Sequence, residues 1–416
     1  MRIAVVTSPF PSLSQTFVLN QITGLIDRGH EVEIISFAKE NCSKFHEEVM
    51  RYDLLNRTSY PFELEIMPRN LFLRFLKAVV YSVVFLAKNP VAVFKSLNFI
   101  KYGRRAASLR LFFLMVLFLR KKPFDIIHCQ FGPIGAAILT LQDIGAIKGK
   151  LVTSFRGYDA TTFLRKHPDA FQDLFRKGDL FLPVSDFLRR RLIEEGCDIQ
   201  KILVHRSGID FSKFKYSARQ RNSNEPTKVL TVARLVEKKG IAYAIQTISR
   251  VVSSGRRVSY TVVGDGDLRD DLERLIQDLD IKAAVQLVGW CSHDEVIRFL
   301  ESAHLLMAPS VAAADGDQEG IPNAIKEAMA MGIPVLATRH SGIPELVQDG
   351  TSGFLVPERD VEALAEKLEY LVEHPEIWPE LGKAGRDYVK KHYDIHKLND
   401  RLVEIFQSLL DRDDIH

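Results

Sequence analysis

The chain has 416 residues, 46% hydrophobic and 26% charged, with a formal net charge of +3. This is the make-up of a globular protein with room for two domains, each with its own core, and it excludes a general polyanion binder such as a nucleic-acid-coating protein. Cys42, Cys129, Cys197 and Cys291 are too scattered for a disulfide framework or zinc site. No apolar run reaches the ~20 residues of a spanning helix, and Pro9 interrupts the apolar start too soon for a signal peptide. A cytoplasmic or peripheral protein is expected.

Residues 3–7 are a β-branched apolar run and predict a buried parallel strand. A loop over 8–16, helical periodicity over 17–28 and a second strand over 31–37 follow. This βαβ opening begins a doubly wound sheet, and the 8–16 loop falls at the carboxyl ends of its strands, where such folds bind ligands.

Residues 66–124 contain twelve Lys or Arg and no Asp or Glu, with apolar stretches at 78–87 and 111–119. Basic, apolar helices lie in a membrane interface and favour anionic lipid. The plainer alternative is a set of helices packed on the first domain with basic solvent faces. The complete absence of acids favours membrane contact.

Strands are predicted at 125–130, ending in the polar pair His128 and Gln130, and at 151–155, running into Arg156-Gly157-Tyr158-Asp159. Another at 179–185 leads into a helix over 186–196 capped by Ser185. Residues 215–228 are polar and read as an interdomain linker. The alternation then restarts, with a strand at 229–232, a basic loop at 233–240 and a helix at 241–253. A strand at 259–263 is followed by Gly264-Asp265-Gly266, which lacks the third glycine of a dinucleotide fingerprint. Strands at 285–288 and 303–308 come next, and helices over 360–374, 378–392 and 395–410 close the chain.

Between the 303–308 strand and a helix over 324–331 lies Glu319-Gly320-Ile321-Pro322-Asn323-Ala324-Ile325-Lys326-Glu327. Gly320 lets a ligand approach the backbone, and free N–H groups of the first helical turn attract anions. Two helical turns bring Glu327 back towards the side of Glu319, so both carboxylates can accept bonds from hydroxyls of one ligand.

This E-G-x-P-x-x-x-x-E stretch is followed by Gly332-Ile333-Pro334-Val335, Ser341-Gly342-Ile343-Pro344-Glu345 and Asp349-Gly350-Thr351-Ser352-Gly353-Phe354-Leu355-Val356. In that order the loops resemble the donor-site core of glycosyltransferase family 4, retaining enzymes of the GT-B fold. The resemblance implies an α/β protein of two doubly wound, Rossmann-like domains facing across a cleft. An acceptor domain would span 1–214, the linker 215–228 and a nucleotide-sugar domain 229–392, with 393–416 a helix crossing back. Pro11-x-x-Ser14-x-Thr16-Phe17 resembles a subset that builds exopolysaccharides.

The resemblance also implies roles. Arg234 and Lys239 match the R-x-x-x-x-K loop that clamps the donor diphosphate, with Lys238 a possible impostor. Gly264, Gly266, Gly320, Ile321, Pro322, Asn323 and Glu327 fall on the donor side, and Glu319 near the transferred sugar. Ser14, Gln15, His128, Gln130 and Asp159 are acceptor-side candidates. Arg156 stands where the family usually has His, and Gln130 where it often has a second His. Arginine is always charged and cannot be a general base, so Arg156 would bind an anionic group. Asp315-Gly316-Asp317 has metal-motif spacing but lies where this fold does not use it, so no metal and no cofactor beyond the nucleotide sugar is expected, with a UDP-sugar favoured. The expected partners are that donor, a lipid-linked glycan and an anionic membrane surface on the inner face of the cytoplasmic membrane, with no nucleic acid. Two other classes fit the donor signature: a GT-B epimerase, and a non-catalytic sugar-nucleotide or lipid-binding module.

Overall fold

The computed structural model describes residues 1–12, 15–40, 45–63, 66–222 and 224–411. Its frame is a pair of six-stranded parallel sheets. The first contains β1 (Arg2–Thr7), β2 (Glu31–Ser36), β3 (Thr58–Ser59), β4 (Ile126–Cys129), β5 (Lys150–Phe155) and β6 (Leu180–Pro183). The second contains β7 (Thr227–Val232), β8 (Val258–Val263), β9 (Val285–Gly289), β10 (Leu305–Ala308), β11 (Val335–Thr338) and β12 (Gly353–Val356). The orders β3-β2-β1-β4-β5-β6 and β12-β11-β10-β7-β8-β9 are the same doubly wound pattern used twice. Both faces of each sheet are covered by helices, so the central strands read as unbroken apolar runs: Ile3, Ala4, Val5 and Val6 are all fully buried. Strand order reverses beside β1 and beside β7, which opens a crevice at the carboxyl ends of each sheet.

The last helix, Ile395–Asp411, packs on the first domain. Leu402, Ile405, Phe406 and Leu409 share a core with Val18, Ile22 and Leu25 of the Thr16–Asp27 helix. Asn399 donates to the Asn20 carbonyl at 3.2 Å. The two crossings between domains run side by side: Ile209 N–H donates to the Tyr393 carbonyl at 2.9 Å, and Ile395 N–H donates to the Ile209 carbonyl at 3.1 Å.

Residues 66–124 form the helices Leu71–Leu86, Pro90–Ser96, Phe99–Ala107 and Arg110–Leu119. The two apolar stretches part company here. Leu111 to Phe118 are all buried, so the second stretch is first-domain core and faces no interface. Leu71–Leu86 is built inside out. Ala78 and Phe85 are buried, and Arg74 turns inward to donate to the carbonyls of Pro68 and Ser108. Phe72, Leu76, Val79, Val80, Val83 and Val84 face outward, exposed. Val91, Phe94, Phe99 and Ile100 extend the exposed apolar surface along the next two helices. Monomeric soluble proteins rarely leave so much contiguous apolar surface in water.

Candidate active site

The site is assembled from loops at the strand ends. After β7, the turn Glu237–Lys239 ends at Gly240 and aims two lysines at the loop leaving β10. Lys239 Nζ lies 3.0 Å from Glu319 Oε1. Lys238 Nζ lies 2.9 Å from Asp317 and 3.6 Å from Glu319. Lys238 is therefore no bystander: both lysines serve the same carboxylate. Burial pushes the Glu319 carboxyl up, but Lys239 and then Lys238 outweigh it and hold it below the usual carboxylate range. Arg234 is exposed and has no partner among the described residues, so its charge is available to a ligand. Gly264, at φ 138° in the loop after β8, sits where a Cβ would lie 1.9 Å from the Ala233 carbonyl, and a Cβ on Gly266 would lie 2.6 Å from the Leu235 carbonyl. These two glycines let the β7 and β8 loops close on each other.

Glu319 is fixed through its backbone as well. Its N–H donates to His340 Nε2 at 3.1 Å, and Ser341 Oγ donates to its carbonyl. His340 is fully buried, with Nδ1 2.6 Å from Glu358 Oε1. The network assigns the tautomer: Nδ1–H donates to Glu358, leaving Nε2 to accept. Glu358 also accepts the Ala312 N–H at 2.8 Å, so three loops of the second domain are tied together around Glu319.

Pro322 caps the Asn323–Ala330 helix from outside its first turn. Glu327 and Asn323 line a cavity of about 90 Å³ with Thr16, Asn20 and Lys213, where the domains meet. Burial pushes the Glu327 carboxyl up to about 7, against the pull of Lys326. Lys326 is fully buried and donates to the Ser207 carbonyl at 2.7 Å. Burial brings its amine down to about 7, opposed by Glu327.

The first domain completes the site from the loops after β4 and β5. Arg156 donates to Gln130 Oε1 at 2.5 Å, Gln21 Oε1 at 3.1 Å and Ser207 Oγ at 3.0 Å, and its guanidinium lies 4.1 Å from the centre of the Phe17 ring. All three acceptors are neutral, and Arg156 Nε is buried without a partner among the described residues. Burial lowers Arg156 to about 9, with Asp159 opposing, which leaves it cationic at neutral pH. Gly320 meets this loop directly, for a Cβ on it would lie 2.5 Å from the Arg156 carbonyl oxygen. The loop carrying Glu319 and Gly320 and the Arg156 loop are thus in contact, which only glycine permits at this point.

The other acceptor-side candidates divide. Asp159 accepts the N–H groups of Arg156, Gly157 and Gly132, so both its oxygens are spent on pinning the loops. His128 is fully buried beneath the cleft, 2.8 Å from Ser154 Oγ, and burial holds it well below its usual range, hence neutral. It supports Gln130, whose amide lies 3.3 Å from its Nδ1. Gln15 lies at the start of the Thr16–Asp27 helix, and Thr7 Oγ1 donates to it at 3.4 Å. Ser14 lies outside the described residues. Among the described residues no group of three or more His, Cys, Asp or Glu is placed to hold a metal ion.

Two family profiles divide the chain: one described as Glycosyltransferase Family 4 matches residues 14–213, and one described as Glycosyl transferases group 1 matches residues 212–388. A putative colanic acid biosynthesis glycosyltransferase, WcaL of Salmonella typhimurium, is 34% identical over 98% of this chain and 100% of its own. The chain belongs to glycosyltransferase family 4. The amylovoran biosynthesis glycosyltransferase AmsK of Erwinia amylovora is 37% identical to it, also over 98% of this chain and all of its own. The GT-B fold of this glycosyltransferase is shared with Anabaena Alr3699/HepE in complex with UDP, at a TM-score of 0.70 and 15% identity, covering 98% of this chain and 100% of that one.

In this glycosyltransferase, motif reading singled out the loops around Glu319 and Lys239 but missed His340, Glu358 and Gln21. His340 could have been noticed as the residue next to Ser341-Gly342. Glu358 and Gln21 carry no local signal, because their roles arise only from what the fold brings beside them. The two departures from the family pattern, Gln130 and Arg156, are bonded to each other and so belong together.

Proposed function

We propose that this glycosyltransferase moves a hexosyl group, with retention, from a UDP-sugar to a lipid-linked glycan at the inner face of the cytoplasmic membrane, in exopolysaccharide assembly. The observation that carries the acceptor side is the outward apolar face of Leu71–Leu86 and the two helices after it, on the acceptor domain and bordered by exposed Arg104 and Arg105. An enzyme acting on a lipid-borne glycan has to sit where the lipid is; no described helix is long and apolar enough to cross a membrane, and a surface contact serves instead. The full-length relatives carry names from colanic acid and amylovoran synthesis, which supports the pathway.

Breaking the sugar–diphosphate bond builds negative charge on the leaving phosphate and positive charge on the ring. Arg234 and Lys239 face the first, with the N–H groups at the start of the Asn323–Ala330 helix, and need no metal to do so. Glu319, ionised and rigidly held, faces the second. Arg156 cannot take a proton from the acceptor, so its work is to orient by charge. Glu327, at the domain junction, is assigned to donor hydroxyls. An epimerase would have no use for the outward apolar face, and a non-catalytic lipid-binding module would have no use for the intact donor signature around Arg234, Lys239 and Glu319. The test is product analysis with labelled nucleotide sugars, with and without a lipid-linked glycan extract. Label entering the lipid fraction only with UDP-sugar and protein supports the reading; release of free or rearranged sugar alone, whatever the acceptor, contradicts it.

A further inference from the structure

We propose that a cavity at the mouth of the interdomain cleft, walled by Arg165, Arg190 and Arg191, is a subsite for an anionic group of the acceptor, a carboxylate or a phosphate. The proposal rests on the glycosyltransferase reading above and adds a charge requirement to its acceptor. The cavity holds about 330 Å³, the lower end of the ~300–1,000 Å³ of small-molecule sites. Its first-domain wall comes from the helices Thr162–Lys166 and Asp186–Glu194, which follow β5 and β6. Its second-domain wall is Gly316 and Gln318, on the loop that carries Glu319, so a group bound here touches that loop.

Three guanidiniums line this space against one carboxylate, Glu194. Arg191 is neutralised by Glu194 at 3.3 Å and Glu195 at 3.2 Å. The other two are not. Arg165 reaches across the gap between domains and its described partner is the Ala314 carbonyl at 3.4 Å; Arg190 is exposed with no partner among the described residues. Two guanidiniums without an acidic partner among the described residues, on the wall of one concave site, suit the planar, two-oxygen geometry of a carboxylate or phosphate. Half-buried Phe187 supplies an apolar floor. The source of the anion is an acidic sugar of the glycan or the phosphate that joins the glycan to its lipid.

The test is a ligand-observed NMR titration of the full chain and of an Arg165→Gln/Arg190→Gln variant with methyl glucuronide, methyl glucoside and inorganic pyrophosphate. The donor loops are identical in the two proteins, so a difference between them reports the cavity. At least one anion should bind tenfold or more weakly to the variant, while methyl glucoside does not distinguish the proteins. A difference confined to glucuronide assigns a sugar carboxylate; one confined to pyrophosphate assigns a phosphate. Equal affinities for both anions, or an equal loss of methyl glucoside, would overturn the subsite. Arg190→Gln alone, at a side chain without partners, repeats the comparison if the double variant melts early. UDP binding in the same samples reads the donor site separately, so a failure of the glycosyltransferase reading is told apart from a failure of the subsite.

Discussion

Replacing Phe72, Phe94 and Phe99 together by glutamine should strip the protein of most of its salt-resistant membrane binding. These rings lie on three successive helices and keep 67%, 69% and 67% of their surface exposed. Full burial of a phenylalanine is worth about 1.5–3 kcal/mol, so two-thirds of it is about 1–2 kcal/mol per ring. A ring at the headgroup boundary loses about half its water contact, which leaves about 1.5–3 kcal/mol for the three, or roughly ten- to 150-fold in affinity. The fold should be indifferent, because none of the three contributes buried core. The charges act differently. Arg104→Gln/Arg105→Gln removes two exposed cations worth about 1 kcal/mol each near an anionic leaflet, a contribution that salt screens. Arg120 and Lys121 are poor choices for such a test, since Arg120 lies over the Tyr81 ring and Lys121 pairs with Glu33. The assay is co-sedimentation with vesicles of rising anionic content at low and high salt. The phenylalanine variant should be weaker in both conditions and the arginine variant only at low salt. If wild type and phenylalanine variant sediment equally at high salt, the apolar face does not meet lipid and the reasoning fails.

Four further outcomes are expected. Arg234→Ala should lower kcat/KM for transfer by about 2–4 kcal/mol, roughly thirty- to a thousandfold, without changing the melting temperature, because its charge serves only the ligand. Lys239→Met should lose similar activity and also destabilise, by about 3 kcal/mol or less with Lys238 still near Glu319; adding Glu319→Gln should recover stability but not activity. Glu327→Gln tests the raised carboxyl. A folded pKa of about 7 above the unfolded carboxylate value means that the unfolded chain binds fewer protons between those values, so this group lowers stability as pH rises through that window. The variant should therefore match wild type in melting temperature at pH 4 and exceed it at pH 8; no difference between the two pH values would contradict the burial account. Finally, Arg156→His and Gln130→His should each impair transfer, and the double change should be at least about 1 kcal/mol better than the sum of the singles, as measured by a double-mutant cycle; additivity would show that the pair does not act as a unit.

What the one-dimensional pattern settled is the order of elements and the loops that carry charge. The cores of buried parallel strands are apolar, so β1, β7 and β10 announce themselves, and the loops after β7 and β10 that carry Arg234, Lys239 and Glu319 follow their carboxyl ends. Gly320 was legible as a point of close backbone approach, and in the fold the group that approaches it is the Arg156 carbonyl. The apolar stretches at 78–87 and 111–119 look alike in sequence, yet the second is core and the first presents its apolar side to solvent. Hydropathy measures a residue's preference and not which neighbour satisfies it, so tertiary packing alone could separate them. The same holds for polar groups. Asp159 resembles a ligand contact but saturates itself on three backbone N–H groups; His340 and Glu358, eighteen positions apart, become one hydrogen-bonded support for Glu319; Arg156, Gln130 and Ser207 meet only because two loops and the domain crossing converge. A side chain's chemistry is written in its sequence position, but its partner, and so its charge state and task, exists only once the chain has folded that partner to within about 3 Å.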